Sequence, residues 1–242
     1  MAYIEVNALS VCLSGTFEAC IFAPEPKALQ EGNSFPVVWY IHEDGDSPYG
    51  LLRHTDILEK LAVEERLFVI APAAGHSLCT DMAWGTKNET FLSGECVEIF
   101  RFLYPLSRDP QKNTVVGIGT GAYGACKLAL NHPEVFGRGV AIEGRLDPVK
   151  GGFPCQSRAS LEAVFGDPEA VAGSRNDLFW SAGESGGNLT LLCGRNSDAY
   201  PENERLARMS PRIVLRTAEE GNDERSFVER QLEALAERLR QK

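Results

Sequence analysis

A glycine-rich turn in the middle of the chain is the segment whose residue types most directly suggest chemistry. Residues 114–132 read TVVGIGTGAYGACKLALNH, in which a β-branched run leads through closely spaced glycines into a helix with apolar spacing. In α/β proteins the backbone N–H groups at such a helix start point into the crevice above the sheet, where the helix dipole favours negative charge. The turn therefore predicts a binding or catalytic site.

Two functional patterns compete for this turn. Residues 119–124, GTGAYG, match the dinucleotide-binding pattern G-x-G-x-x-G, and Glu143 follows a later apolar run at nearly the spacing of a ribose-binding acid. Residues 117–121, GIGTG, carry the glycines of the nucleophile elbow G-x-S-x-G of α/β-hydrolases, but Gly119 stands where that pattern requires serine. The turn alone leaves both interpretations open.

Composition and charge exclude several classes of protein. A chain of 242 residues could form one α/β domain or two small ones, and we favour a single domain spanning 1–242. The formal net charge of -10 argues against nucleic acid and anionic membranes as partners. Because the sequence has neither a basic segment leading into an apolar one nor a long apolar run, we expect a soluble, cytoplasmic protein. Seven scattered cysteines without a Cys-x-x-Cys pair indicate reduced thiols and no zinc site.

The elements around the turn alternate between strands and helices. Two strands are predicted within residues 3–22, followed by strands at 35–41, 67–70, 114–116, 140–142, 189–193 and 213–216. Helices are predicted at 51–64, 90–103, 125–131 and 226–239, and residues 151–187 suit an irregular cap or insertion. Such alternation predicts a mostly parallel sheet with helices on both faces, in which ligands bind beyond the carboxyl ends of the strands.

The position of the turn along the chain separates the two patterns. A dinucleotide-binding domain normally carries its glycine fingerprint after its first strand, whereas several predicted strands precede Gly119. The order therefore favours the hydrolase interpretation. A dinucleotide-binding oxidoreductase remains a remote alternative that depends on the glycine turn and Glu143 alone.

Short motifs in a shared order run through nearly the whole chain. They are VVWYIH at 37–42, TDM at 80–82, FLYPLSR at 102–108, GAYGACKLALNHPEVFG at 121–137, and Cys193-Gly194 shortly before Asp198. In this order they resemble the esterase D and S-formylglutathione hydrolase family of α/β-hydrolases, most closely its tributyrin-esterase-like branch. The resemblance implies a single α/β-hydrolase domain with a small cap, no cofactor, and the Ser, Asp, His triad of serine carboxylesterases and thioesterases.

In this resemblance only one of the three triad positions keeps its residue type. Asp198 falls on the family's aspartate, whereas Gly119 falls on the serine and Asp223 on the histidine. The His-Gly pair of the family's oxyanion loop is also altered, because His42 is followed by Glu43. Glycine offers no nucleophile, aspartate cannot replace imidazole as a proton shuttle, and a carboxylate near the oxyanion site repels the developing negative charge. The resemblance therefore implies a pseudoenzyme.

Other residues that could supply chemistry have unfavourable sequence surroundings. Thr120 follows the elbow position, where the family uses the backbone N–H for the oxyanion hole and directs the side chain elsewhere. A second G-x-S-x-G match at 183–187 precedes a strand instead of opening a helix, so we interpret it as a loop. We expect His42 to be buried and structural, and His76, in the crevice loop, is the one histidine to test as a stray base.

Several acidic residues are expected beyond the carboxyl ends of strands, where they should face a common pocket. These acids are Glu43, Glu143, Asp198 and Asp223, and the nearby arginines are Arg145, Arg195 and Arg225. Buried charges are usually paired, which favours an internally paired pocket floor. The alternative is a site for a cationic ligand or a hard divalent metal, although no spacing motif indicates a metal.

The functional prediction is an esterase-family homologue that has lost the serine mechanism and has a binding, regulatory or scaffolding role. The alternative is an active hydrolase of short-chain carboxylic esters or thioesters that uses other residues. The expected partner is a small-molecule ligand in the former active-site pocket, with Glu43, Thr120 and Glu143 as candidate pocket residues. A homo-oligomer is left open, and neither nucleic acid nor membrane is expected as a partner.

Overall fold

The fold is built on one mixed sheet. The computed structural model describes residues 2–29, 32, 34–150, 153 and 157–218. In this part of the chain eight strands form the order β1-β2-β4-β3-β5-β6-β7-β8. They are β1 (Ala2–Ser10), β2 (Gly15–Ala23), β3 (Val37–Ile41), β4 (Phe68–Pro72), β5 (Asn113–Ile118), β6 (Arg138–Ile142), β7 (Leu189–Gly194) and β8 (Ile213–Ala218). β2 is antiparallel to β1 and β4, and the remaining pairs are parallel, which confirms the predicted sheet.

Helices connect the parallel strands. They are α1 (Pro26–Leu29), α2 (Thr55–Glu64), α3 (Asn88–Thr90), α4 (Cys96–Leu103), α5 (Gly121–Asn131), α6 (Arg158–Phe165), α7 (Leu178–Glu184) and α8 (Tyr200–Ala207). A π-helical turn, Phe91–Glu95, joins α3 to α4. Among the described helices, none is both long and apolar enough to span a bilayer. The predicted closing helix at 226–239 lies outside the described residues.

Side chains of the central strands enter two apolar clusters, one on each face of the sheet. On β3, Val37, Trp39 and Ile41 belong to the cluster that includes α4 and α5, whereas Val38 and Tyr40 belong to the cluster that includes α2. All five residues are buried. Burial on both faces explains why the sequence of this strand is an unbroken apolar run instead of an alternating one.

The described residues of the predicted cap or insertion contain regular structure. α6, a 3₁₀ turn at Pro168–Val171, and α7 occupy much of residues 157–187. Ser157, Asp167 and Asp177 precede these elements, and each accepts a hydrogen bond from a backbone N–H of the first turn. These capping residues explain helices where the glycine and charge content suggested irregular structure. That this segment acts as a cap, and that the chain is one domain, stay predictions.

β5 enters α5 through a turn that requires glycine. A Cβ atom at Gly117 would overlap the backbone oxygen of Gly121, and a Cβ atom at Gly121 would overlap the backbone oxygen of Ile41. Between them Gly119 has a φ of +54°, in the left-handed region that residues with side chains rarely adopt. Close backbone packing therefore explains the outer glycines. It also explains why α5 begins at Gly121 and not at Ala125, because the glycines form its first turn.

Replacing Gly117 by alanine should destabilise the fold by about 3 kcal/mol or more, since the new methyl group meets backbone atoms that cannot move aside. The measurement is urea unfolding followed by circular dichroism. Gly94→Ala is the matched control, because a Cβ atom there meets open space on a helical stretch. It should be neutral or stabilising by up to about 1 kcal/mol. Equal effects of the two substitutions would contradict the close approach of β5 and α5.

Candidate functional site

The carboxylate of Glu43 occupies the space directly above the elbow. Because β3 and β5 are parallel and Ile41 pairs with Gly117, the chain that continues beyond β3 brings Glu43 level with Gly119. A Cβ atom at Gly119 would overlap Oε2 of Glu43 and would lie 2.8 Å from its Cδ. The direction in which a nucleophilic side chain leaves an elbow is therefore filled by a carboxylate from the neighbouring strand's loop.

Thr120 uses its hydroxyl group to hold the loop after β3 against the elbow. The backbone N–H of Asp44 donates a hydrogen bond of 2.7 Å to Thr120 Oγ1, and Thr120 is 8% exposed. The Asp44 side chain is itself nearly buried, with Oδ1 3.5 Å from Nδ1 of His76 at the rim. The Thr120 hydroxyl therefore has a positioning role here, and His76 lies beside an acid instead of beside a hydroxyl nucleophile.

His42 is a buried structural residue, as predicted. The backbone N–H of Ala74 donates to His42 Nε2 at 2.9 Å, so the ring proton is on Nδ1, which donates to the backbone oxygen of Glu43 at 2.7 Å. Burial lowers the pKa of His42, which favours the neutral ring. The imidazole thus fixes the backbone at Glu43 and positions the carboxylate over the elbow.

Glu143 closes the end of the β6–β7 pair. Its Oε1 accepts a hydrogen bond of 2.7 Å from the backbone N–H of Gly194, and its own N–H donates to Leu192 O at 2.9 Å. The Cys193 thiol lies 3.6 Å from the other carboxylate oxygen. Glu143 adopts a φ of +49°, an uncommon conformation for a residue with a side chain. Since the carboxylate is engaged by the protein itself, these contacts do not favour a ribose-binding role.

Asp198 lies on the surface of the loop between β7 and α8. Its side chain is 91% exposed, and Oδ2 lies 3.8 Å from Nη2 of Arg145. The backbone N–H of Arg145 donates to Gly119 O at 3.1 Å, which ties this pair to the elbow. This exposed pair is not the buried, internally paired pocket floor predicted from the sequence, which stays a prediction. The position matched to the family's histidine, Asp223, lies outside the described residues.

The structure brings some of the predicted site residues together and leaves others apart. Glu43 and Gly119 are in contact, and Thr120 joins them through the loop after β3. Glu143 and Asp198 are engaged with other groups, so a common acidic pocket stays a prediction. Within the described ranges, no group of three His, Cys, Asp or Glu residues could hold a metal ion.

The second G-x-S-x-G match is a structural turn. Ser185 follows α7, and its hydroxyl donates a hydrogen bond of 2.5 Å to Leu130 O at the end of α5. Ser185 Oγ in turn accepts a hydrogen bond of 3.0 Å from the backbone N–H of Gly187. The interpretation as a loop is correct for residues 185–187, whereas Gly183 and Glu184 are the last two residues of α7.

A cavity of about 250 Å³ lies beside the loop that follows β6. Its mostly apolar lining includes Leu146, Pro148 and Phe179, and the Arg205 guanidinium lies 3.8 Å from the centre of the Phe179 ring. Arg205 Nη1 is also 3.7 Å from Oδ2 of Asp147. The same loop contains Arg145, next in the chain to Leu146 of the cavity wall, and the backbone N–H of Arg145 donates to Gly119 O. Sequence reasoning missed this cavity because its walls come from separate helices.

Sequence reasoning also missed a buried ionic cluster on α5. Lys127 is fully buried, and its Nζ lies 2.9 Å from Glu89 Oε2 and donates to Thr80 Oγ1 at 2.7 Å and to Cys79 O at 3.1 Å. Glu89 Oε1 lies 3.0 Å from His132 Nε2. These contacts fasten the crevice loop to the helix that follows the elbow. A lysine within the apolar run ACKLAL could have indicated the cluster.

The ionic cluster holds Glu89 in its charged form. Burial by itself would raise the pKa of Glu89, but the hydrogen bond from His132 and the charge and hydrogen bond of Lys127 outweigh it. The pKa falls from 4.5 to about 2. Because the folded-state pKa is lowered, the stabilisation by Glu89 is complete above about pH 4.5 and is lost as the pH falls towards about 2.

Replacing Glu89 by glutamine should destabilise the fold at neutral pH by about 3 kcal/mol or more, because Lys127 is left as a buried charge without its counter-ion. The difference from wild type should shrink at about pH 3, because below about pH 4.5 Glu89 takes up a proton in the unfolded chain while it stays charged in the folded one. Urea unfolding at both pH values measures this. Glu98→Gln is the control, since Glu98 is 55% exposed in its ion pairs with Arg101 and Arg108. Equal effects of the two substitutions would contradict the role of Glu89.

Comparison with solved structures shows the same fold. A fluorophosphonate-binding serine hydrolase F from Staphylococcus aureus has a TM-score of 0.85, 21% identity, and coverage of 98% of each chain. An S-formylglutathione hydrolase from the same organism has a TM-score of 0.83, 20% identity, and coverage of 98% of each chain. One from Agrobacterium tumefaciens has a TM-score of 0.80 and 18% identity, over 97% of this chain and 94% of that chain. At these identities the likeness establishes the fold.

Comparison of sequences establishes the family. The diacylglycerol acyltransferase/mycolyltransferase Ag85B proteins of Mycobacterium avium and Mycobacterium intracellulare are each 28% identical over 127 and 130 residues. The match covers 52% of this chain but only 37% of the length of these curated relatives. The esterase family model, described as "Putative esterase", matches residues 14–224, and this does not favour the dinucleotide-binding alternative. The elbow, the strand order and the family match agree with the resemblance to esterase D and S-formylglutathione hydrolases: this chain belongs to the esterase family of α/β-hydrolases.

Proposed function

We propose that this esterase-family protein has lost serine-dependent hydrolysis and binds a small molecule in the former active-site pocket. The observation that carries the proposal is the contact between Gly119 and Glu43. The elbow keeps its left-handed backbone, but its tip has no side chain, and the space for one is filled by a carboxylate. A nucleophile and the room for its attack are therefore missing together.

The charge of Glu43 also opposes acyl transfer. In an α/β-hydrolase, the N–H groups near the start of the elbow helix stabilise the negative charge that develops on the substrate oxygen. A carboxylate held over Gly119 repels that charge. The pKa of Tyr40 is raised, first by burial and then by the negative charges of Glu43 and Asp46.

Among the described residues, Thr120, Ser185 and Asp198 have contacts that do not favour a substitute catalytic pair. Thr120 accepts a hydrogen bond from the loop after β3, and Ser185 donates its proton to a backbone oxygen. Asp198, the one retained triad position, is exposed and faces Arg145. A nucleophile needs an adjacent base to become active, and the contacts of these three groups support the proposal that they have structural roles.

The left-handed backbone at the elbow, like the family match, also fits the alternative of an active ester or thioester hydrolase that uses other residues. A serine in the left-handed region is strained, and such strain is a mark of a working elbow. Glycine adopts the same conformation without strain, so at Gly119 the backbone carries no sign of catalytic use. The contacts of Glu43 therefore favour binding over hydrolysis.

The charge at the elbow indicates which ligands the pocket would accept. A carboxylate or phosphate group placed beside Glu43 would be repelled, so the preferred ligand is neutral or cationic at that end. The cavity beyond Arg145 has mostly apolar walls and could take a small acyl or aromatic group. We therefore expect a small ester, amide or amine with an apolar group, bound without turnover.

Wild-type protein should not hydrolyse short-chain p-nitrophenyl esters and should not be labelled by a fluorophosphonate probe. The Gly119→Ser, Asp223→His double variant restores the residue types of the family's triad but leaves Glu43 in the way of the serine. Adding Glu43→Gly should raise hydrolysis and labelling by about tenfold or more over the double variant. Initial rates and labelling followed by intact-protein mass spectrometry measure both responses.

A matched series separates the two effects of Glu43. Glu43→Gln in the same double variant removes the charge but keeps the side-chain volume, so it should restore less activity than Glu43→Gly. Turnover and labelling by the wild-type protein would contradict the proposal. Mass spectrometry of the labelled peptide would then identify the nucleophile, and loss of labelling in Thr120→Ala would assign it to Thr120.

A further inference from the structure

In the part of the chain that the structure describes, β1 is an edge strand of the sheet with no strand on its outer side. It is nine residues long and lies at the end of the strand order, and it pairs with β2 without a bulge, from Ala2 opposite Ala23 to Ser10 opposite Gly15. Over the described residues, β1 has a ladder with β2 alone. Its other edge therefore carries a row of backbone N–H and C=O groups of the kind that recruits a further strand.

The sequence of β1 lacks the features that keep edge strands apart. Natural edges are usually blunted by proline, lysine, bulges or short length. The strand AYIEVNALS has no proline and no lysine, and its single charge is Glu5. The exposed apolar side chain of Leu9, with 78% of its surface accessible, adds to the tendency to associate.

We propose that β1 is the contact of a symmetric homodimer, in which two copies of the strand pair antiparallel about a two-fold axis at Val6. In this register Tyr3 faces Leu9 of the partner subunit, and Glu5 faces Asn7 of the partner subunit. The charged residue therefore meets an amide that can donate a hydrogen bond to it. The exposed side chain of Leu9 meets the ring of Tyr3 of the partner subunit. Within each chain the Tyr3 ring packs against Phe22, with 5.5 Å between the ring centres.

The other face of the paired strands is also complementary. Ile4, Val6 and Ala8 are partly buried residues that pack on the core cluster under α4 and α5. Across the axis, Val6 meets Val6 of the partner subunit, and Ile4 meets Ala8 of the partner subunit. The dimer thus extends an apolar stripe that the monomer leaves half exposed.

The charges specify the axis and favour a second copy as the occupant. An axis at Glu5 would set that carboxylate against its own copy, and an axis at Asn7 would set Glu5 against an apolar Leu9. Of the three axes, at Glu5, Val6 and Asn7, the axis at Val6 is the one that sets apolar side chains against apolar side chains and the charge of Glu5 against an amide. A strand whose pattern is complementary to itself is what an isologous two-fold contact requires.

The first test is sedimentation velocity over a concentration series of the full chain. Wild type should dimerise with a dissociation constant on the order of micromolar, as suits a contact made by one strand edge. Asn7→Glu places like charges opposite Glu5 twice in each dimer and should weaken dimerisation by about tenfold. Adding Glu5→Lys to Asn7→Glu should restore it, because a lysine at position 5 then faces a glutamate at position 7 of the partner subunit, and opposite charges meet.

A change in the monomer can be separated from a change in the dimer. Asn7 lies opposite Glu18 on β2, so Asn7→Glu also adds repulsion within one chain, and thermal unfolding measures this effect. Val6→Cys in a Cys12→Ser background supplies an independent readout, since two thiols at the axis should form a disulfide-linked dimer under mild oxidation.

The outcomes separate clearly. Restoration of dimerisation by the charge reversal together with the Val6→Cys cross-link would support the contact and its register. A wild-type protein that is monomeric up to about 100 μM would overturn the proposal. So would a dimer that is insensitive to Asn7→Glu, because the copies would then meet through another surface.

Discussion

The close approach of β3 to the elbow is the constraint on which the rest of the site depends. Glycine at 117 and 121 allows β5, β3 and the start of α5 to meet with backbone against backbone. The parallel register that results places the residue two positions beyond Ile41 beside Gly119. In this chain that residue is Glu43, so the packing that builds a hydrolase elbow also delivers a carboxylate to its tip. The buried imidazole of His42 then holds the backbone in place.

The second support of the site is electrostatic. Lys127 and Glu89 connect the elbow helix to the crevice loop inside the protein, where unpaired charges are costly. Thr120 and Arg145 add hydrogen bonds that tie the elbow to the loops after β3 and β6, and Ser185 binds the other end of α5. A site held by these contacts does not need catalytic side chains to keep its shape, which is what the proposed binding role requires.

The fold could be predicted from the sequence because strands buried on both faces give continuous apolar runs, as in β3 and β5. The contact of Glu43 with Gly119 could not, since it depends on the register between two strands. The exposure of Asp198 and the cavity beside Arg145 depend on packing between segments that are distant in the chain. The capping residues Asp167 and Asp177 were visible in the sequence, but the glycines around them concealed the helices.

The complementarity of Glu43 and Gly119 is the central claim, and a double-mutant cycle in urea unfolding tests it most directly. Gly119→Ala should lower the free energy of unfolding in any background, because alanine is disfavoured in the left-handed region. It should lower it further when Glu43 is present, because the new methyl group clashes with the carboxylate. The cost of Gly119→Ala should therefore fall by about 1 kcal/mol or more when Glu43 is replaced by alanine. Additive effects of the two substitutions would contradict the account, because Glu43 would then not occupy the place of the nucleophile.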